Sequence, residues 1–170
     1  MNSSIITTER LRLREMTPDD AEHAFALNND PEVLRYTGDD PFESVEAARA
    51  FLIAYPAYKK DGFGRWAVEL HDGTWLGWCG LRRQADGAVD LGYRFLRAHW
   101  GKGYATESSL ACLRLGFERF GLPEIIGRVV PDNAGSIRVL EKVGMHYWKT
   151  DATDHDPDAL FYRIRREEWR

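Results

Sequence analysis

His99-Trp100-Gly101-Lys102-Gly103-Tyr104-Ala105-Thr106-Glu107 separates two stretches of different hydrophobic period. Before it, Val89, Leu91, Tyr93 and Phe95 alternate with Asp90, Gly92 and Arg94, so Ala88 to Leu96 reads as a strand. After it, Leu110, Leu113, Phe117 and Phe120 recur at helical spacing. Strand, glycine loop and helix start follow each other in an order that gathers backbone N–H groups around an anion. Gly101 and Gly103 carry no Cβ, so the chain can turn sharply and a ligand can approach the main chain. The first N–H groups of a helix lack intrahelical partners and stand at the positive end of its dipole. Lys102 adds a positive charge beside them. For the loop alone two readings stand, a phosphate site and a plain tight turn. The Walker-type loop is excluded, because Tyr104 follows Gly103, and the third glycine of a dinucleotide loop falls on Thr106.

Outward from the loop, Gly121-Leu122-Pro123 stops the helix, and Ile125 to Val130 is a β-branched run suited to a central strand. Ser136 to Val143 predicts a short helix leaving at Gly144. Strands near His146 to Thr150 and Leu160 to Arg165 bracket an acidic connection. Upstream, Arg65 to Leu70 and Thr74 to Leu81 flank Asp72-Gly73, a hairpin signal, and Asp86-Gly87 repeats it before Ala88. Arg10 to Glu15 reads as a strand with Leu11 and Leu13 on one face. Thr17-Pro18-Asp19-Asp20 predicts a helix start: Thr17 as N-cap, a proline in the first turn, and carboxylates near the positive end of the dipole. That helix turns Ala21, Phe25 and Leu27 inward and ends at Asn28-Asn29. Asp30-Pro31 starts a short second turn, and Ser44 caps a helix over Val45 to Tyr58 with Ala48, Phe51, Leu52 and Tyr55 apolar. No repeat or linker divides the chain.

With 170 residues, 44% hydrophobic and 29% charged, the chain has the make-up of one globular domain rather than a disordered segment. No apolar run reaches the roughly 18 residues of a membrane span, and Met1-Asn2-Ser3-Ser4-Ile5-Ile6 lacks the basic start and apolar core of a signal peptide. Cys79 and Cys112 are far apart and form no C-x-x-C, so neither a zinc site nor a disulfide framework is indicated. A reducing cytoplasm is the simplest setting. The net charge of −4 argues against nucleic acid as a partner.

The loop resembles the acyl-CoA pyrophosphate loop, [Q/R]-x-x-G-x-[G/A], of the GNAT superfamily of N-acetyltransferases. Asn133-Ala134-Gly135-Ser136 followed by Glu141-Lys142-Val143-Gly144-Met145 is similar to that superfamily's helix flanking the pantetheine arm. Thr8-Glu9-Arg10-Leu11-Arg12-Leu13-Arg14 with Thr17-Pro18-Asp19-Asp20-Ala21 resembles the branch of ribosomal-protein N-terminal (alanine/serine) acetyltransferases. The resemblance implies a single α/β domain over residues 1–170, core about 8–168. Its mixed, mostly antiparallel sheet would have about seven strands, with helices on both faces and a splayed central strand pair.

The resemblance also implies a site. Acetyl-CoA, as co-substrate, would lie between the strands Ala88 to Leu96 and Ile125 to Val130. Main-chain groups of Phe95, Leu96 and Arg97 would pair with the pantetheine amides as an added strand does. An N–H near Phe95 would polarise the thioester. Gly101, Lys102, Gly103, Tyr104 and Ala105 would hold the pyrophosphate, with Asn133 and Ser136 beside the arm. Ala98 departs from the family's Gln or Arg. Arg138 and Lys142, one turn apart, are either phosphate contacts or a solvated helix face.

A tyrosine acid seven residues after the asparagine is missing, since Leu140 stands there. Ser136 is the substitute that the branch suggests, against the plainer reading of a first-turn cap bond. Glu107 and Asp90 are the candidate bases, against structural roles for both. A weak base suits an α-amine, whose pKa of about 7.7–8.0 leaves part of it neutral at pH 7, better than a lysine near 10.4. Asp39, Asp40 and Glu43, with Asp151, Asp154, Asp156 and Asp158, form two acidic loops. These would attract a cationic amine, or serve only as solvated loops. Asp154-His155-Asp156 makes a poor metal site, and no metal is expected.

The expectation is therefore a cytoplasmic N-acetyltransferase moving acetyl directly to a primary amine, most simply a peptide or protein N-terminal α-amine. A small amine such as a polyamine, amino acid or antibiotic is the alternative acceptor, and a non-catalytic acyl-CoA sensor the alternative class. A homodimer is one option for assembly, with no membrane partner.

Overall fold

Aspartate–glycine turns build the middle of the sheet. Asp72 and Asp86 each accept the N–H two residues on (Thr74 and Ala88, both at 2.9 Å), and Gly73 and Gly87 follow at φ 92°. They join β3 (Arg65–Leu70), β4 (Trp75–Arg83) and β5 (Val89–Phe95) as successive hairpins. Before them come β1 (Ser4–Thr7), β2 (Leu11–Glu15) and four helices: α1 (Ala21–Leu27), α2 (Pro31–Leu34), α3 (Val45–Ala54) and α4 (Ala57–Asp61). After them come α5 (Tyr104–Arg114), β6 (Glu124–Val129), α6 (Ala134–Lys142), β7 (His146–Asp151) and β8 (Ala159–Arg165). The computed structural model describes residues 3–170; Met1 and Asn2, read above as part of a start without a signal sequence, lie outside the described residues.

The eight strands run in the order β1-β2-β3-β4-β5-β6-β8-β7. All neighbours are antiparallel except β5 and β6, whose parallel pairing rests on Asp90↔Ile126. Beyond that pair the two strands part toward Phe95 and Val129, as the splayed pair of the resemblance implied. One face of the sheet packs its largest core, including Cys79, Leu91 and Phe95, against Leu113 of α5 and Leu140 of α6. On the other face Leu27 and Val33 meet Ala67 and Trp75. Thr17 and Ser44 cap as expected, each accepting a backbone N–H, and Asp20 completes a capping box with Thr17.

Several expectations are corrected. The strand count is eight rather than about seven, because β1 is a four-residue edge strand with no fully buried side chain and so leaves no alternation to read. The helix expected over Val45 to Tyr58 ends at Ala54: Tyr55, at ψ 109°, precedes Pro56, whose ring disfavours helical backbone in the residue before it. Phe51 and Leu110, read as members of the apolar spacing of their helices, are 50% and 40% exposed. A π-turn over Leu115–Arg119, with Phe120 N–H donating to Leu115 C=O at 2.9 Å, re-phases the end of the long helix. Cys79 and Cys112 lie with their sulfurs 3.6 Å apart in the core, both free. That is contact distance, well beyond the roughly 2.05 Å of a disulfide.

Candidate active site

Gly101 and Gly103 both adopt positive φ, 74° and 82°, and Gly103 is the N-cap of α5 with no side chain covering the helix end. The N–H groups of Tyr104, Ala105 and Thr106 are therefore left to an outside acceptor. Arg10, from the turn between β1 and β2, holds this loop from behind. It donates to Lys102 C=O at 2.8 Å, lies over the Tyr104 ring at 4.7 Å and pairs with Glu107 at 2.7 Å. Ala98 provides no such support, and Arg10 replaces it from across the sequence.

Leu96 N–H donates back to Leu76 C=O at 2.9 Å. Successive N–H groups of a strand point to opposite sides, so Phe95 N–H faces the gap toward β6. The pantetheine contacts are expected at Phe95, Leu96 and Arg97. Leu96 N–H points away from the gap, and all three carbonyls already accept a bond: Phe95 from Trp100 Nε1 at 2.8 Å, Leu96 from His99 N–H, Arg97 from Trp100 N–H. Phe95 N–H faces the gap in which a thioester oxygen would lie.

Ser136 does not use its hydroxyl as a cap. Asn133 caps α6 by accepting Ser136 N–H at 3.2 Å, which frees the hydroxyl to bond Tyr93 Oη at 2.7 Å. Tyr93 Oη also donates to Ser136 C=O at 3.1 Å. Burial pushes the Tyr93 phenol well above its ordinary value, against the smaller opposing effect of its bond to Ser136, so it stays protonated at any physiological pH. Sequence reading gave Tyr93 only as an apolar position of its strand; its partner lies 43 residues away.

Both candidate bases are engaged elsewhere. Asp90 is buried, with Oδ1 on Arg65 at 3.0 Å and Oδ2 on Arg128 at 3.0 Å and Gln84 at 2.7 Å. Glu107 accepts from the Thr8 hydroxyl at 2.6 Å, Arg10 N–H at 2.9 Å and Arg10 Nε at 2.7 Å. Desolvation raises its pKa, but those bonds outweigh it and hold the carboxyl below the ordinary glutamate value. A carboxylate so stabilised is a poor base. We therefore assign Glu107 the task of tying the loop behind α5 and Asp90 that of ordering arginines.

Glu107→Gln is accordingly expected to lower unfolding stability by about 1–3 kcal/mol at pH 7 and to weaken acetyl-CoA binding severalfold. The folded pKa is depressed, so this stabilisation is complete above the ordinary value near 4.3 and fades as pH falls through the folded value. Urea titrations should show the two proteins converging toward pH 3; a constant difference would reject the ionic origin.

A cleft of ≈ 1370 Å³ runs past these groups, larger than the 300–1,000 Å³ of an ordinary single-ligand site and roomy enough for two substrates. Phe95, Gly101, Gly103, Tyr104, Ala105, Asn133, Ser136, Arg138 and Lys142 line it. Leu96, Arg97 and Lys102 lie outside its lining. Arg97 pairs with Asp30 at 3.0 Å and Leu96 packs beside Leu27 and Val33. The two acidic loops do meet over the cleft: a Cβ on Gly38 would lie 2.4 Å from the His155 ring. Their charge is partly spent, because Asp39 pairs with Arg94 at 2.7 Å. Among the described residues, no group of three or more His, Cys, Asp or Glu could hold a metal, and no helix is long and apolar enough to cross a membrane.

The acetyltransferase (GNAT) domain family matches residues 10–146. The Bacillus subtilis N-acetyltransferase YoaA, itself uncharacterized, is 36% identical over 146 residues, covering 82% of this chain and 81% of that one. A GNAT-family acetyltransferase from Bacillus anthracis superposes with a TM-score of 0.82 at 27% identity, covering 95% and 98% of the two chains. The spermidine N-acetyltransferase of Vibrio cholerae, solved with CoA and spermine, shares the fold with a TM-score of 0.80 at 18% identity, covering 95% and 98%.

Proposed function

Since this chain belongs to the GNAT acetyltransferase family and is an N-acetyltransferase, we propose that it transfers acetyl directly from acetyl-CoA to a primary α-amine of the peptide N-terminal type. The observation that carries the reading is the Ser136–Tyr93 hydroxyl pair, 2.7 Å apart, between α6 and the strand that ends at Phe95. In the proposed reaction the neutral amine attacks the thioester carbon, and Phe95 N–H stabilises the oxyanion that forms. Collapse breaks the carbon–sulfur bond and expels CoA as a thiolate. Ser136 Oγ gives that sulfur a proton and takes one from Tyr93 Oη, and the extra proton on the attacking nitrogen leaves through water to the pair, giving the neutral amide. No covalent enzyme intermediate is needed, since both cysteines are buried in the core.

The absence of an available carboxylate base at Asp90 and Glu107 supports an α-amine over a lysine side chain, because the former supplies its own neutral fraction near pH 7. It also fits the ribosomal-protein N-terminal branch that the first strand and helix resemble. Two buried free thiols at 3.6 Å support a reducing, cytoplasmic setting.

The test is thiol release from acetyl-CoA with peptides bearing free or blocked α-amines, each with and without a lysine. The α-amine peptides are expected to turn over, with kcat/KM rising along the amine's own ionisation near pH 8. Turnover of the blocked lysine peptides alone would overturn the reading. Ser136→Ala and Tyr93→Phe are each expected to lower kcat about 10–100-fold, the low end for acid catalysis because a thiolate leaves readily. The double variant should fall no further than either single one, with the acetyl-CoA KM little changed; additive losses would separate the two hydroxyls.

A further inference from the structure

The face of the sheet away from α5 and α6 carries a set of arginines that the transfer chemistry does not use. Along β5, Leu91, Tyr93 and Phe95 face α6, so Asp90, Gly92 and Arg94 face the other way. Acetyl-CoA held at the α5 loop leaves that other side of the gap as the approach for the acceptor. There Arg65, Arg82 and Arg128 converge on the one carboxylate of Asp90, at 3.0, 3.7 and 3.0 Å, and all four residues line the cleft. Three guanidiniums against one carboxylate leave an excess of positive charge in the floor.

Arg65 is built in. Gly80 and Gly92 are cross-strand partners, and a Cβ on Gly92 would lie 2.6 Å from the Arg65 guanidinium, which fills the slot that Gly92's missing side chain leaves. Arg65 donates to Gly80 C=O at 2.9 Å and lies over the Trp78 ring at 5.2 Å. Its own N–H is held by Tyr55 Oη at 2.9 Å. Arg94 flanks the same indole at 5.3 Å, tied to Asn28 and Asp39. Arg128 spends one hydrogen bond on Asp90 and Arg82 makes none, yet both point into the cleft, 31% and 50% exposed. Desolvation, then repulsion from Arg65 and Arg128 against the opposing pull of Asp90, weakens Arg82's hold on its proton.

We infer that the acceptor carries a carboxylate a short way from its α-amine, and that Arg82 and Arg128, set by Asp90 and the slotted Arg65, bind it. Guanidinium forks match carboxylates in a way that isolated ammonium groups do not. The spacing suits the chemistry: Gly92, beneath Arg65, stands three residues before Phe95, roughly 10 Å along an extended strand. An α-amine and the carboxylate of the following residue span a similar length. This assignment rests on the α-amine reading above. It disfavours polyamines and basic N-termini, which the acidic loops alone would have favoured.

Two matched pairs test it on the full-length protein by thiol release. Ser-Glu-Ala amide against Ser-Gln-Ala amide varies a side-chain carboxylate; Ser-Ala against Ser-Ala amide varies a terminal one. Wild type is expected to prefer the acidic member of at least one pair by tenfold or more in kcat/KM, and the pair that shows it identifies the source of the carboxylate. In Arg82→Gln/Arg128→Gln that ratio should fall to threefold or less. A wild-type ratio near one, or a preference that survives in the double variant, would overturn the inference while leaving α-amine acetylation intact. If no peptide is acetylated, the α-amine reading fails, and arginine Nε–H NMR signals of CoA-saturated protein judge the anion site separately. Shifts at Arg82 and Arg128 with the acidic peptides, absent with their neutral partners, support the site, and no shift with any peptide removes it.

Discussion

Gly101→Glu is expected to abolish measurable acetyl-CoA binding while the protein still folds. A Cβ at this position meets nothing within 4 Å, so no packing is lost. The backbone stands at φ 74°, where a side chain costs about 1–2 kcal/mol of local strain. The larger effect is charge. The loop N–H groups that would receive a pyrophosphate would then sit beside a carboxylate, and like charges about 4 Å apart repel by about 4 kcal/mol at an effective dielectric of 20. Together these weaken binding by roughly three orders of magnitude or more. Gly101→Ala carries the strain without the charge; the free loop can relax and the bound one cannot, so it should bind about fivefold to thirtyfold more weakly than wild type, by the same conversion. Calorimetry on the three proteins decides. Unchanged affinity in the glutamate variant would move the pyrophosphate away from this loop.

Gly80→Ala should produce a large loss of stability. A single added carbon would stand 2.0 Å from Gly64 C=O and 2.7 Å from Arg65 Cα, both main-chain atoms of the neighbouring strand. Neither can swing aside as a side-chain tip would, so β3 and β4 must separate locally. A cost of about 3–4 kcal/mol is expected, at the upper end for one substitution, lowering the melting temperature by roughly 6–15 °C. Gly87→Ala is the contrast: φ is 92° there but nothing lies within 4 Å, so only backbone strain of about 1–2 kcal/mol is paid. Equal melting points for the two variants would mean that β3 and β4 are not packed as closely as the register Arg65↔Gly80 requires. The same displacement would unseat Arg65, so the preference for an acidic acceptor should weaken in Gly80→Ala.

The resemblance to acetyltransferases was legible because its signals are short. The glycine pair before α5, the Asn133 cap of α6 and the two Asp-Gly hairpins each lie within a few residues, where local geometry alone decides the structure. The break at Pro56 belongs to the same class; it was open to reading from the Tyr55-Pro56 step and was hidden by the apolar spacing that ran through it. The π-turn after Arg114 was less accessible, since nothing in Leu115 to Arg119 departs from helical composition.

Site chemistry divides along the same line. Ser136 and Phe95 could be proposed from pattern, but what each does depends on partners that strand register and helix packing select. Tyr93 reaches Ser136 across 43 residues, and Arg10 reaches Lys102 across 92. The two carboxylates read as candidate bases are both tied to arginines in the folded chain. What a carboxylate can do depends on the donors around it, and those donors come from the β1–β2 turn, β3, β4 and β6.

The sequence by itself determined the order of elements, the caps and turns, and the phosphate-type loop, because those follow from backbone preferences over a turn or two. Only the tertiary structure decided which hydroxyls pair, which carboxylates are occupied, that two distant thiols touch, and that three arginines gather in one part of the cleft beneath an acidic rim. The physical reason is that charge and proton affinity are properties of neighbours in space, and a sheet makes neighbours of residues that the chain keeps far apart.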